Sequence, residues 1–140
     1  MIKIDSSDLN KFSVMLGELP DEIKDNVRKV VKNSAFNIER NAKSSASVKT
    51  GHLRRSISTK MGDMEATIHT SNLKYAPMVE FGTRPHIIRA KNKKALYWKG
   101  ATHPVKKVNH PGSKAKPYLI PAFDKEKDQF LEKLKEAIEW

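Results

Sequence analysis

Apolar residues recur at helical spacing in three parts of the chain, and each pattern predicts a helix. The longest follows Pro20, where a proline and two acidic residues are typical of a helix start, and it predicts a helix over about residues 20–45. A shorter pattern before it covers Leu9 to Leu19. The last begins at Pro121 and carries an apolar stripe to Ile138. A long N-terminal helix and a C-terminal helix are therefore expected.

After Ser56 the apolar residues recur at every second position, which is the spacing of a strand. A Gly62-Asp63 turn separates two short alternating runs, the second from Ala66 to Thr70, which predicts an antiparallel hairpin with one solvated face. The run from Tyr75 to Phe81 predicts a third strand. We expect that strand at an edge or at a strand entry, because Pro77 has no N–H to donate to a neighbouring strand.

The segment from Arg84 to Lys116 is predicted to be a long extended loop, because its X-Pro turns are incompatible with a continuous helix and many of its residues are lysines. Its two apolar groups, Ile87-Ile88 and Ala95–Trp98, either add strands or pack the loop down. A chain of 140 residues is expected to form a single domain over residues 1–140. Together the elements predict an α+β fold with a long N-terminal helix, an antiparallel sheet of three to five strands, a long basic loop and a C-terminal helix.

The positive charge of the chain is concentrated in its middle. The net charge is +11, and residues 41–120 carry sixteen basic residues against three acidic ones. Adjacent like charges repel each other, so a segment of one sign indicates contact with a polyanion or with acids of a neighbouring subunit. Between Gly82 and Ile120 there is no acid, and the ten basic residues are Arg84, Arg89, Lys91, Lys93, Lys94, Lys99, Lys106, Lys107, Lys114 and Lys116.

Aromatic residues lie among these lysines. Tyr97, Trp98 and Tyr118 could form a surface on which nucleic-acid bases stack, or they could anchor the basic segment to the core. The sequence leaves both roles open.

Few residues could support catalysis or metal binding. The chain has no cysteine, and His103 and His110 have no third ligand near them in sequence. An enzyme acting on nucleic acid would have to use Glu80 with a histidine, whereas an ion pair with a nearby arginine or lysine is the simpler role for that carboxylate. We therefore predict no catalytic residue, no metal site and no cofactor. No apolar run is long enough to span a membrane, so no membrane partner is expected.

Three short motifs carry a resemblance to a known family. They are VKTGHLRRSI at 48–57, YAPMVEFGT at 75–83 and HPGSKAKPYLIPAF at 110–123. In this order they resemble the tail-component family of long-tailed bacteriophages and prophages, which comprises head-tail joining and tail-completion proteins. Lys49 departs from the pattern, since that family often has an acid there. The residues that carry the motifs, some of them at expected turns, are Thr50, Gly51, Leu53, Ser56, Tyr75, Ala76, Glu80, Gly82, Thr83, His110, Pro111, Gly112, Pro117 and Pro121.

The resemblance implies a non-enzymatic virion protein that forms a ring between the capsid neck and the tail tube, with DNA passing through the ring. Its implied partners are its own copies, with sixfold symmetry expected by analogy, a head-closure or neck protein, and a tail terminator or tail-tube protein. It would be assembled in the host cytoplasm and located in the tail or neck of the virion. Its basic loop would face a neighbouring subunit or the DNA. The alternative is a small basic nucleic-acid-binding module without enzymatic activity, which the charge of residues 41–120 favours.

Overall fold

The structure is a computed structural model, which describes residues 17–48 and 51–139. Most of the predicted helical segment from Leu9 to Leu19 lies outside the described residues, as does Thr50. In chain order the described elements are α1 (Asp21–Ser45), α2 (His52–Ser56), β1 (Ile57–Met61), β2 (Ala66–Thr70), α3 (Ala76–Phe81), β3 (His86–Arg89), β4 (Lys107–His110) and α4 (Ile120–Ile138).

These elements form two compact units. The helical unit comprises the described parts of Met1–Ser71 and Tyr118–Trp140, and the ribbon unit is Asn72–Pro117. The helical unit holds both long helices and the β1–β2 hairpin, while the ribbon unit holds α3, β3 and β4. That the whole chain is one domain stays a prediction.

Helix α1 organises the helical unit, and the prediction of a helix over about residues 20–45 is confirmed. Pro20 precedes its first residue, acidic side chains occupy its first turn, and Lys43 lies in its last turn, as the helix dipole favours. Its apolar face packs against α4, β1 and β2. Burying a side chain such as Ile23 or Val27 stabilises the fold by about 1.5–3 kcal/mol. The buried apolar residues of α1 are Ile23, Val27, Ala35, Ile38 and Ala42.

The predicted hairpin after Ser56 is confirmed. Strands β1 and β2 are antiparallel, with Ile57 opposite Thr70 and Met61 opposite Ala66. The Gly62 N–H donates to the Glu65 carbonyl oxygen at 2.8 Å and closes the turn. Ile57 is fully buried, so the hairpin is fixed to the core at its first residue.

The ribbon unit is a two-stranded antiparallel ribbon preceded by the short helix α3. His86 is opposite His110 and Arg89 is opposite Lys107. The isolated bridge of Thr83 with Ser113 continues this register before β3, whereas residues 91–95 bulge out before the second bridge, of Leu96 with Val105. Within the segment predicted to be a long basic loop, His86–Arg89 and Lys107–His110 therefore form a short antiparallel ribbon, while residues 90–106 between them are irregular apart from one isolated bridge. The Ile87-Ile88 group does supply a strand.

The prediction of a strand from Tyr75 to Phe81 is wrong, because Ala76–Phe81 is helical. Pro77 lies in the first turn of this helix, where its fixed φ suits the helix and its missing N–H costs nothing. Ala76 and Glu80 are both buried, and their four-residue spacing is that of a helix face.

The sheet prediction is also wrong in its size. The described residues contain two separate sheets of two strands each, instead of one sheet of three to five strands. The mixed helix and sheet class, the long N-terminal helix and the C-terminal helix are confirmed.

Candidate functional site

The second and third sequence motifs meet at the base of the ribbon. The Thr83 N–H donates to the Ser113 carbonyl oxygen at 2.9 Å, and the Ser113 N–H donates back to the Thr83 carbonyl oxygen at 3.1 Å. The two side-chain hydroxyls are 3.0 Å apart, within hydrogen-bond distance. The Lys116 N–H also donates to the carbonyl oxygen of Val79 in α3 at 2.8 Å. These bonds join α3, and the chain just after it, to the segment that follows β4.

Two glycines allow this close packing. Gly82 has φ 73° and Gly112 has φ 85°, a region that residues with a Cβ rarely adopt. A Cβ at Gly82 would lie 2.6 Å from the Ser113 carbonyl oxygen, and a Cβ at Gly112 would collide with the Thr83 carbonyl oxygen. The motif residues around them have different environments. Ala76 and Glu80 are buried, whereas Tyr75, Pro111 and Pro117 are exposed.

The first motif lies in the helical unit. Gly51, with φ 73°, precedes α2, and Leu53 is buried. The Ser56 hydroxyl donates to the Leu53 carbonyl oxygen at 2.7 Å and is itself buried. Pro121, from the third motif, lies in the first turn of α4. These residues set the starts of two helices and expose few groups for chemistry.

The two faces of the ribbon differ in composition. Side chains alternate along a strand, so His86, Ile88, Val108 and His110 share one face. The His86 and His110 rings are 5.0 Å apart between centroids. His86 Nδ1 donates to the Arg84 carbonyl oxygen at 2.8 Å, while the Gly112 N–H donates to His110 Nδ1 at 3.0 Å. The two rings therefore carry their protons on different nitrogens when both are neutral.

All four residues on the opposite face are exposed, and two of them are basic. This face carries Ile87, Arg89, Lys107 and Asn109, and Arg89 is the direct cross-strand neighbour of Lys107. Like charges in directly opposed positions destabilise an antiparallel pair. This pair therefore adds nothing to the stability of the isolated ribbon.

The surface charge of the ribbon unit has one sign. Its 46 residues, Asn72–Pro117, include eleven lysines and arginines and a single acid, Glu80. Glu80 is only 5% exposed, so the lysines and arginines dominate what solvent and partners meet. All nine candidate interface residues are exposed: Arg84, Arg89, Lys91, Lys93, Lys94, Lys106, Lys107, Lys114 and Lys116.

Large apolar side chains are also exposed on this unit. Tyr97 and Trp98, near the tip of the ribbon, are 70% and 49% exposed. In α3, Met78 and Phe81 lie one helical turn apart and are 54% and 69% exposed. Exposed apolar groups of this size are typical of surfaces that another molecule covers. Tyr97 and Trp98 are therefore available to a partner, whereas Tyr118 is buried in the core.

The described residues provide no evidence for a catalytic or metal site. Among them, no group of three or more histidine, aspartate or glutamate side chains could hold a metal ion. Glu80 is buried in α3, so its carboxylate is not presented to a substrate in solvent. No helix within 17–48 or 51–139 is long and apolar enough to cross a bilayer.

Acidic side chains of the helical unit take part in bonds within that unit. The Thr59 hydroxyl and the Lys43 ammonium donate to the two oxygens of Glu39, each at 2.5 Å. The bond from Lys43, and then that from Thr59, hold the Glu39 pKa below its usual value. Arg28 donates to Asp63 at 2.7 Å and likewise lowers the Asp63 pKa. The bonds to Thr59 and Asp63 fix α1 to the β1–β2 hairpin, while the Lys43 bond lies within α1.

A groove of about 450 Å³ in the helical unit lies between α1, β2 and α4. Its walls are mostly apolar, with Ile38, Ile68 and Phe130 among the lining residues. The Asn37 side-chain amide donates to the buried Glu126 carboxylate at 3.1 Å. That bond joins α1 to α4, so the carboxylate has a structural role.

Comparison with known protein families identifies a phage family. Residues 10–82 match the protein family described as "Bacteriophage HK97-gp10, putative tail-component". The chain belongs to this phage tail-component family. The match spans more than half of the chain and includes the first two motifs, 48–57 and 75–83, apart from Thr83. No curated protein and no solved structure matches the chain.

The phage tail-component family indicates a virion-associated structural protein, and the resemblance inferred from the motifs is confirmed. Sequence reasoning did not identify Ser113 as the partner of Thr83, nor Met78 and Phe81 as an exposed apolar pair. The sequence does contain a signal for the Met78–Phe81 pair, because residues three apart lie on the same face of a helix and Pro77 is compatible with a helix start.

Proposed function

We propose that the protein is a structural component of the head-tail interface of the virion. In this role its copies form a ring that completes the tail and joins it to the capsid neck, around the channel through which DNA passes. Membership of a phage tail-component family is the observation that carries the proposal. The role is structural, without catalysis, and the protein is assembled in the host cytoplasm.

The surfaces of the ribbon unit support this role. A ring subunit must bind a neighbour on each side and further proteins above and below. The exposed Met78 and Phe81 of α3 provide an apolar contact surface, and the basic ribbon extends from the same unit. We propose that the basic residues from Arg84 to Lys116 face a neighbouring subunit or the channel, and that Gly82 and Gly112 set the turns that orient the ribbon.

The proposed partners are further copies of the chain, a head-closure or neck protein, and a tail terminator or tail-tube protein. We expect six copies of the chain in the ring, related by sixfold symmetry. The motif residues in the helical unit, including Gly51, Leu53 and Pro121, keep that unit folded while the ribbon unit makes contacts.

Complementation of a defective phage tests the proposal. A lysate of a phage that lacks this protein should contain separate heads and tails, and adding the purified protein should restore joined particles in electron micrographs. A variant with Gly82→Ala, which disturbs the base of the ribbon, should restore fewer. If the lysate contains joined particles without the protein, or if the purified protein joins none, the proposed role is wrong.

A further inference from the structure

One exposed face of the β3–β4 ribbon places two positive charges opposite each other with no acidic residue on that face to balance them. Arg89 and Lys107 are cross-strand partners on one exposed face, where their like charges repel. The ribbon unit has a single carboxylate, that of Glu80, and it is buried. An anion from another molecule, held between Arg89 and Lys107, would convert this repulsion into two attractive contacts.

The charge continues from this pair toward the tip. The lysines Lys91, Lys93, Lys94, Lys99 and Lys106 are all exposed. The Ala90 N–H donates to the Lys106 carbonyl oxygen at 3.3 Å, and Leu96 pairs with Val105, so the strands remain associated beyond β3 and β4. Lys91, Lys93 and Lys94 lie in the irregular stretch between these two contacts, so the positive charge extends beyond the paired strands.

The dimensions of such a ribbon suit duplex DNA. Two paired strands lie about 4.8 Å apart, and the major groove of B-DNA, about 12 Å wide, admits a two-stranded ribbon. Duplex DNA carries one negative charge per roughly 1.7 Å of its axis, so closely spaced cations can each meet a phosphate. Tyr97 and Trp98 add an O–H and an N–H donor near the tip, and both side chains are exposed.

We propose that the β3–β4 ribbon binds the phosphodiester backbone of double-stranded DNA without regard to sequence, with Arg89 and Lys107 at the centre of the contact. An acidic protein surface is a poorer match, because protein surfaces mix both signs of charge while DNA phosphates are uniformly negative. This inference goes beyond the proposed function, since it holds whether or not the chain forms a ring.

The test measures binding of the full chain to a labelled short DNA duplex by fluorescence anisotropy. Two duplexes of unrelated sequence are compared between about 50 and 200 mM NaCl. The test variant is Arg89→Gln/Lys107→Gln. Its matched control is Lys125→Gln/Lys133→Gln, which removes the same charge from exposed positions of α4. A second test variant, Lys93→Gln/Lys94→Gln, changes residues outside the strands. Thermal unfolding of every variant shows whether it is folded.

The wild-type chain should bind both duplexes equally, and the logarithm of its affinity should fall linearly with the logarithm of salt concentration. Each test variant should reduce the magnitude of this slope by about 2, because two phosphate contacts are lost. Affinity should fall by about tenfold or more at low salt, while the α4 control stays close to wild type.

Three results would overturn the inference: no binding at about 50 mM NaCl, slopes unchanged in both test variants, or equal competition by polyglutamate at the same charge concentration. The mass of the protein in solution is measured in parallel. A wild-type chain that assembles normally but does not bind DNA counts against the ribbon inference alone, whereas normal DNA binding by a permanent monomer counts against the ring alone.

Discussion

Gly82 lies so close to Ser113 that a Cβ at position 82 would be 2.6 Å from the Ser113 carbonyl oxygen. The contact is reciprocal, because a Cβ at Gly112 would meet the carbonyl oxygen of Thr83. Two segments thirty residues apart therefore pack backbone against backbone. This packing sets where the ribbon leaves α3, so the orientation of the proposed contact surface depends on the absence of two side chains.

Gly82→Ala should strongly destabilise the ribbon unit, since alanine at φ 73° is strained and its Cβ meets fixed backbone atoms. Gly100→Ala is the matched control, because Gly100 also has positive φ but no atom within 4 Å of an added Cβ. Gly100→Ala should cost about 1–2 kcal/mol of unfolding free energy, and Gly82→Ala at least about twice that. Hydrogen exchange of the Thr83 and Ser113 amides measures the effect.

Equal exchange rates at these two amides in both glycine variants would contradict the packing described at the base of the ribbon.

Thr59→Val should destabilise the helical unit, because it removes a hydroxyl that donates to the Glu39 carboxylate. Hydrogen bonds to charged groups contribute more than neutral ones, so the expected loss is about 1–2 kcal/mol. Thr67→Val on β2 is the control, since Thr67 is exposed and has the same change in shape. Urea unfolding of both variants and of Glu39→Gln measures the difference. A combined Thr59→Val/Glu39→Gln variant should lose less than the sum of the two single losses.

The contribution of the Glu39 carboxylate to the free energy of unfolding should fall as the pH is lowered. Bonds from Lys43 and Thr59 hold the Glu39 pKa below its ordinary value in the folded state, so this state favours the ionised form. The stabilisation is therefore present above the unfolded pKa of about 4.3 and is lost as the pH falls through the folded pKa. Unfolding at several pH values should show the wild-type advantage over Glu39→Gln shrinking below about pH 4. An advantage that grows on acidification would show that the carboxylate is not stabilised in this way.

Met78→Ser/Phe81→Ser should impair assembly without weakening the fold. Both side chains are more than half exposed, so each change should alter the unfolding free energy by only about 0.5 kcal/mol. Removing them should lower the fraction of protein in large species, because an apolar contact between copies is lost. Light scattering measures that fraction, with Asn92→Ser, at an exposed position of the same unit, as the control. Normal assembly of the double variant would show that this surface lies outside the ring contacts.

The long helices could be predicted from the sequence because their apolar spacing extends over many turns. The stretch that forms α3 could not, since five of its six residues are apolar and a short apolar run is compatible with a strand as well as with a helix. Pro77 is compatible with a strand edge, yet it suits the first turn of a helix equally well. Short elements of this kind are decided by tertiary packing, here by the burial of Ala76 and Glu80.

The candidate surface was predicted in part. Its basic residues are evident in the sequence, because ten of them occur between Gly82 and Ile120 without an acid. The strand pairing that arranges these residues is not evident in the sequence, because Arg89 and Lys107 are distant in sequence. In addition, β3 has two adjacent isoleucines instead of an alternating pattern. The Thr83 and Ser113 contact also depends on backbone geometry that side-chain patterns do not encode.

The mass of the purified protein in solution tests the central claim most directly. Light scattering is measured over a range of protein concentrations, at low and high salt, with and without the tail-tube protein. We predict a species several times the 15.9 kDa mass of one chain, near six copies, either alone or on addition of the tail-tube protein. A mass that stays at 15.9 kDa under all these conditions would contradict the ring.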